Sequence, residues 1–121
     1  MTSDILNTIS PRIVSKTWGE ERIFYNAEYS AKCLIILPKQ STSLHYHPVK
    51  DETMTVVSGF AEILLGNHLN YSEYFLSTLD SFRIPPGVSH KIHNPSDSKN
   101  LIIIESATHD DPRDSIRIKN V

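Results

Sequence analysis

Seven short apolar runs, each closed off by turn residues, limit what this chain can fold into. They are ERIFYN (21–26), SAKCLIIL (30–37), TMTVVS (53–58), FAEILL (60–65), SEYFL (72–76), SFRI (81–84) and LIIIES (101–106). All are rich in β-branched or aromatic side chains, which fit a pleated surface. The breaks between them carry chemistry that turns a chain. GNHLN after Leu65 and PPG at 85–87 combine the free φ of glycine with the fixed φ of proline, and HNPSDS (93–98) is a further loop. No longer window keeps a helical period. Many short strands at close spacing predict an all-β sandwich or barrel. The regular part spans 21–106. Residues 1–20 read as an N-terminal arm and 107–121 as a C-terminal tail, both packed on that single domain.

A length of 121 residues supplies one core. The net charge is −2 and no basic block stands out, so neither nucleic acid nor an anionic membrane is an expected partner. MTSDILNTIS lacks the basic-then-apolar pattern of a signal peptide, and no apolar run approaches a bilayer-spanning length of about 18–20 residues. The single cysteine, Cys33, excludes an internal disulfide and suits a reducing, cytoplasmic setting. Its place in KCLIIL reads as a small buried hydrophobe.

The segment SLHYHPVKDETMTVVSG (43–59) carries the chemistry. Side chains alternate faces along a strand, so His45 and His47 project together while Tyr46 points away. PVKD suits a chain reversal, after which Glu52 would open the neighbouring strand and approach the same point. Two imidazoles and a carboxylate are a ligand set for zinc, iron, manganese, cobalt or nickel. Three such ligands leave coordination positions open, as catalytic rather than structural sites do. A fourth ligand is expected from IPPGVSHKIHN, where His90 follows the Pro85–Gly87 turn.

The pattern His45-x-His47-x4-Glu52-x6-Gly59, followed by Pro85-x-Gly87-x2-His90-x3-Asn94, resembles the two motifs of the cupin superfamily. The resemblance implies a double-stranded β-helix, a jelly-roll barrel, with a divalent metal held by His45, His47, Glu52 and His90. Two turn glycines of the family pattern are replaced here, by Lys39 and Leu79. A narrower likeness lies outside the motifs. KTWGEE (16–21), AKCLIILPKQSTSLHYH (31–47), IIIES (102–106) and DSIRI (114–118) together resemble the cupin domain of type II phosphomannose isomerases, often fused to mannose-1-phosphate guanylyltransferase. That family has glutamine where this chain has His45, and its nucleotidyltransferase domain has no counterpart in these residues.

Other residues carry two readings each. Lys32 shares a face with Leu34 and Ile36, so it either meets an anion such as a sugar phosphate inside the barrel or snorkels to solvent. Arg117 is a phosphate ligand at the mouth, or the partner of an acid in HDDPRD. Glu105 interrupts LIIIES as a candidate general base, or is a solvated edge-strand glutamate. Met54, Val56, Phe82 and Ile84 read as walls of the interior. Lys91 and His93 should face outward, His68 and His109 lie in loops, and Trp18 reads as the packing anchor of the arm.

The expected function is metal-dependent aldose–ketose isomerisation of a phosphorylated sugar, like that of mannose-6-phosphate isomerases. The alternatives are an Fe(II)-dependent dioxygenase and a non-enzymatic cupin that binds a sugar or sugar nucleotide. Exposed sheet edges in so small a barrel predict a homodimer.

Overall fold

The computed structural model describes residues 6–67 and 69–119. His68, read from the sequence as a loop histidine, lies outside them. The chain is all-β, with no α-helix among the described residues. Eleven strands form: β1 (Arg12–Lys16), β2 (Gly19–Asn26), β3 (Ser30–Ile36), β4 (His45–Tyr46), β5 (Glu52–Ser58), β6 (Ala61–Asn67), β7 (Asn70–Leu76), β8 (Ser81–Ile84), β9 (Ser89–His93), β10 (Leu101–Ala107) and β11 (Ile116–Arg117). A 3-10 turn, Pro112–Asp114, precedes β11. Every pairing is antiparallel. One sheet has the order β1-β2-β3-β10-β5-β8 and the other β11-β4-β9-β6-β7. Two facing antiparallel sheets with these crossovers make the jelly roll.

The segment read as an arm contributes β1, which pairs with β2 from Arg12 opposite Ile23 to Lys16 opposite Gly19. The tail likewise supplies β11, whose Ile116 and Arg117 pair with Tyr46 and His45. β11 is too short to register as a strand alone, and pairing with a neighbour satisfies the backbone groups of both pieces.

The period-2 pattern sorts the interior. Leu34, Ile36, Val56, Ala61, Ile63, Ile84, Ile92, Leu101 and Ile103 form the buried core, with Trp18 and Phe82 packed against it. On several strands the inward face then changes character within one or two steps. It runs Ile36, Leu34, Lys32 on β3; Leu101, Ile103, Glu105 on β10; Val56, Met54, Glu52 on β5; and Ile92, His90 on β9. Register aligns these steps, since Leu34 faces Ile103 and Lys32 faces Glu105. The interior therefore has an apolar end and an ionisable end, and every side chain of the ionisable end is buried at the cost of its hydration.

Lys39 and Leu79, at the two lost turn glycines, keep the glycine conformation, with φ of 63° and 75°. Leu79 N donates to Val56 O at 2.8 Å, and Val56 N to Asp80 O at 3.0 Å, so the turn is closed despite its residue.

Candidate metal centre

His45, His47 and His90 converge. One ring nitrogen from each lies within 4.8 Å of the others. His45 and His90 are direct partners across β4 and β9. Glu52 comes from the opposite sheet, which revises the expectation of a neighbouring strand: β4 and β5 face each other across the interior, and residues 47–51 cross the gap. Glu52 Oε2 stands 3.4 Å from His47 Nε2 and 4.0 Å from His90 Nε2.

The protonation pattern follows from the outer contacts. Each Nδ1 donates to a backbone carbonyl: His45 to Ser43 at 2.9 Å, His47 to Asp114 at 2.8 Å, and His90 to Val88 at 3.1 Å. That fixes the tautomer and leaves each Nε2 lone pair unprotonated. Burial lowers all three imidazoles to a pKa of about 4, so they are neutral at pH 7. Burial, and then the Glu105 carboxylate, push Glu52 up to about 8. Both Glu52 oxygens and His90 Nε2 are buried with no hydrogen-bond partner in the protein. Orphaned buried acceptors cost about 1–3 kcal/mol each unless something electropositive meets them. Three neighbouring imidazole nitrogens beside the two Glu52 oxygens fit a divalent cation, and the donor set suits several first-row metals.

Behind this cluster lies a network that the sequence did not announce. Lys50, in the PVKD segment read only as a turn, is buried. Its Nζ is 3.2 Å from Glu105 Oε2, 3.2 Å from Asp110 Oδ1 and 3.8 Å from Glu52 Oε2. Lys32 is also buried, with Nζ 3.3 Å from Glu21, 3.7 Å from Glu105 and 3.2 Å from Asp110. It neither snorkels nor offers a free ammonium. Glu105 is not a solvated edge residue: β10 is an inner strand and its side chain is 3% exposed. Burial alone would raise the Glu105 and Asp110 carboxyls, but the two lysines outweigh it and hold both below the ordinary range. Burial likewise opposes the charge on the lysines, and the carboxylates outweigh it, raising both ammonium groups.

Asp114 is a further residue whose role only the fold reveals. Its carboxylate accepts from the backbone N–H of Val49 and Lys50 at 3.0 and 2.8 Å, while its carbonyl holds His47. The tail thus fixes the loop that carries His47 and Lys50. Arg117 makes no ion pair with a described residue, in particular none with the HDDPRD acids. Lys91 is exposed as expected, His109 is exposed with Nδ1 against Ala27 O, and half-buried His93 meets Ser41 Oγ at 2.6 Å. A cavity of about 920 Å³ reaches the three histidines, Lys50, Glu105 and Arg117, and Trp18 lines it as well as packing on the core.

Fold and site together define an all-β jelly roll with a three-histidine centre. The chain belongs to the cupin family: the model of the Cupin domain matches residues 33–106. Among curated proteins it is similar to mannose-1-phosphate guanylyltransferase 2 of Escherichia coli O157:H7, 31% identical over 113 residues, covering 92% of this chain and 23% of that one. It is also similar to mannose-1-phosphate guanylyltransferase RfbM of Salmonella typhimurium, 28% identical over 108 residues, covering 88% and 22%. The chain thus spans under a quarter of the length of these relatives. Among solved structures, the capsular polysaccharide assembling protein CapF from Staphylococcus aureus superposes with a TM-score of 0.80 at 24% identity, covering 91% of this chain and 34% of that one. Oxalate decarboxylase from Lactobacillus farciminis superposes with a TM-score of 0.75 at 23% identity, covering 89% and 33%. These structural likenesses bear on the fold. No helix among the described residues is long and apolar enough to cross a membrane.

Proposed function

We propose that this cupin is a metal-dependent enzyme acting on a phosphorylated sugar, by aldose–ketose isomerisation. The observation that carries the reading is a single cavity shared by the three neutral imidazoles, the Lys50–Glu105 pair and the cation of Arg117. The names of the relatives agree with a mannose phosphate as the class of substrate. In this proposal His45, His47, His90 and Glu52 hold the metal, which supplies a Lewis acid for adjacent hydroxyl and carbonyl oxygens. Glu105, kept ionised by Lys32 and Lys50, lines the cavity as the proton acceptor. Two ammonium neighbours reduce its basicity, so the proton it takes is readily passed back. Arg117 faces the substrate phosphate, while Lys32 fixes Glu105 instead of binding phosphate. A single buried thiol, Cys33, suits the reducing cytoplasm that the proposal assumes.

The test is to strip the protein with a chelator and reload it with Zn, Mn, Co or Fe(II). Interconversion of mannose 6-phosphate and fructose 6-phosphate is then followed, with His47→Ala and Glu105→Gln as controls. Turnover that needs metal and falls at least about 100-fold in both variants is expected. Absence of turnover with every metal, together with substrate-dependent O2 uptake with Fe(II), would replace this reading with a dioxygenase.

A further inference from the structure

We propose that strand β1 supplies half of an anion clamp, with Arg12 facing Arg117 across the cavity mouth to hold the phosphate of a sugar phosphate monoester and Lys16 adding charge further along the same strand. The inference deepens the reading above and rests on its substrate class. Register gives the direction of each side chain. Arg12 pairs with Ile23, Ile23 with Lys32, and Lys32 with Glu105, so Arg12 ends an inward-facing row that begins deep in the ionisable end. Lys16, about 13 Å further along the strand, lies on the same face, opposite Gly19 and in the row of buried Ile36, so it acts on the phosphate through its charge. Arg117 belongs to the opposite sheet, in the row of His45 and His90. Directly opposed residues in such a row have Cβ atoms about 4.5–5.5 Å apart, which puts Arg117 next to the histidine cluster. Arg12, Lys16 and Arg117 all line the same cavity.

Charge matching separates these three from the cations further in. Lys32 and Lys50 are engaged by Glu21, Glu105 and Asp110. Arg12, Lys16 and Arg117 are exposed and make no ion pair with a described residue. The deep lysines are neutralised in place, and Asp111, which lines the same cavity, is paired with Arg113 at 2.9 Å, so the mouth keeps the charge of Arg12, Lys16 and Arg117. A dianionic phosphate fits there, because guanidinium groups from two directions match its tetrahedral oxygens, and Lys16 adds positive charge from further along β1. The sugar end then points inward, toward the histidines. By contrast, Arg22 is on the outer face of the same sheet and is paired with Glu20 at 2.6 Å.

The experiment is calorimetric titration of the metal-loaded protein with fructose 6-phosphate, inorganic phosphate and, as the neutral probe, fructose. It is run on the wild type and on Arg12→Gln, Lys16→Gln and Arg22→Gln. Arg12→Gln should weaken both phosphate-bearing probes about tenfold and Lys16→Gln should weaken them less, and both should leave any binding of fructose unchanged and flatten the salt dependence. Arg22→Gln should bind like the wild type. Equal affinity for fructose 6-phosphate in all four proteins would overturn the clamp, and so would a wild type that binds neither phosphate-bearing probe. Inorganic phosphate is not turned over, so a protein that shows this pattern with phosphate but does not isomerise the sugar keeps the clamp and loses only the assigned reaction.

Discussion

At the scale of single residues, the centre is set by opposed titrations. The imidazoles of His45, His47 and His90 ordinarily titrate near 6.5 and are held at about 4 in the fold. Their contribution to stability is complete above pH 6.5 and is lost as pH falls toward 4, because the unfolded chain takes up protons first. Glu52 is raised from its ordinary 4.5 to about 8, so its contribution is complete below 4.5 and is lost as pH rises through 8. Between 4.5 and 6.5 three groups oppose one, and between 6.5 and 8 Glu52 acts alone. Metal-free protein should therefore melt highest near pH 6.5 and lose stability on either side. Added Zn or Mn should remove the alkaline decline, since a cation favours ionised Glu52. Thermal melts from pH 4 to 8.5 with and without metal check this, and a metal-free midpoint that rises from pH 6.5 to 8 would contradict it. Lys50 gives a second prediction. Lys50→Met leaves Glu105 and Asp110 short of a buried counter-charge, for a loss of about 3–5 kcal/mol in denaturant unfolding. Arg83→Ala removes an exposed partner of Asp51 and should change little. Equal effects would mean that the buried network is not what holds this end together.

At the scale of elements, the turns before β4 and β8, at Lys39 and Leu79, show how local chemistry yields to pairing. Left-handed backbone costs an L-residue about 1–2 kcal/mol. Leu79 is 79% exposed, so its side chain returns little of that. Leu79→Gly should stabilise the protein by about 0.5–1 kcal/mol after the greater freedom of glycine in the unfolded chain is counted. Gly19 is the converse. Its φ is 151°, and a Cβ there would stand 1.9 Å from Ile35 O, so Gly19→Ala should cost about 1–3 kcal/mol. Chemical denaturation of both variants measures the two signs, and a destabilised Leu79→Gly would show that the leucine makes contacts that matter.

At the scale of the whole molecule, two sheets leave β1, β8, β7 and β11 as edges. Val57, Phe60 and Phe75 are exposed, with the two phenylalanine rings stacked at 6.4 Å between centroids. Open edges and exposed rings favour association, and a homodimer is the expected state. Light scattering at micromolar concentration should give twice 13.7 kDa, and a single species at 13.7 kDa would rule the dimer out.

The sequence by itself determined whatever depends on local period and spacing. Alternation was enough to put Leu34, Met54 and Val56 inside and to set His45 and His47 on one face, and the two motifs joined them to Glu52 and His90. Strand content was legible because β-branched runs and turn residues act over a few positions. Lys50 was not legible, because a loop residue has no period and its burial depends on where residues 47–51 cross between the sheets. The partners of Lys32 and Glu105 were hidden for a related reason. Alternation gives the side a residue faces, but not which strands become its neighbours, and Asp110 reaches both lysines only through a tail that follows β10. Asp114 and β1 likewise gain their roles from contacts made once the barrel closes. Tertiary structure decided these because burying a charge is tolerable only where an opposite charge is already held, and long-range pairing alone brings the two together.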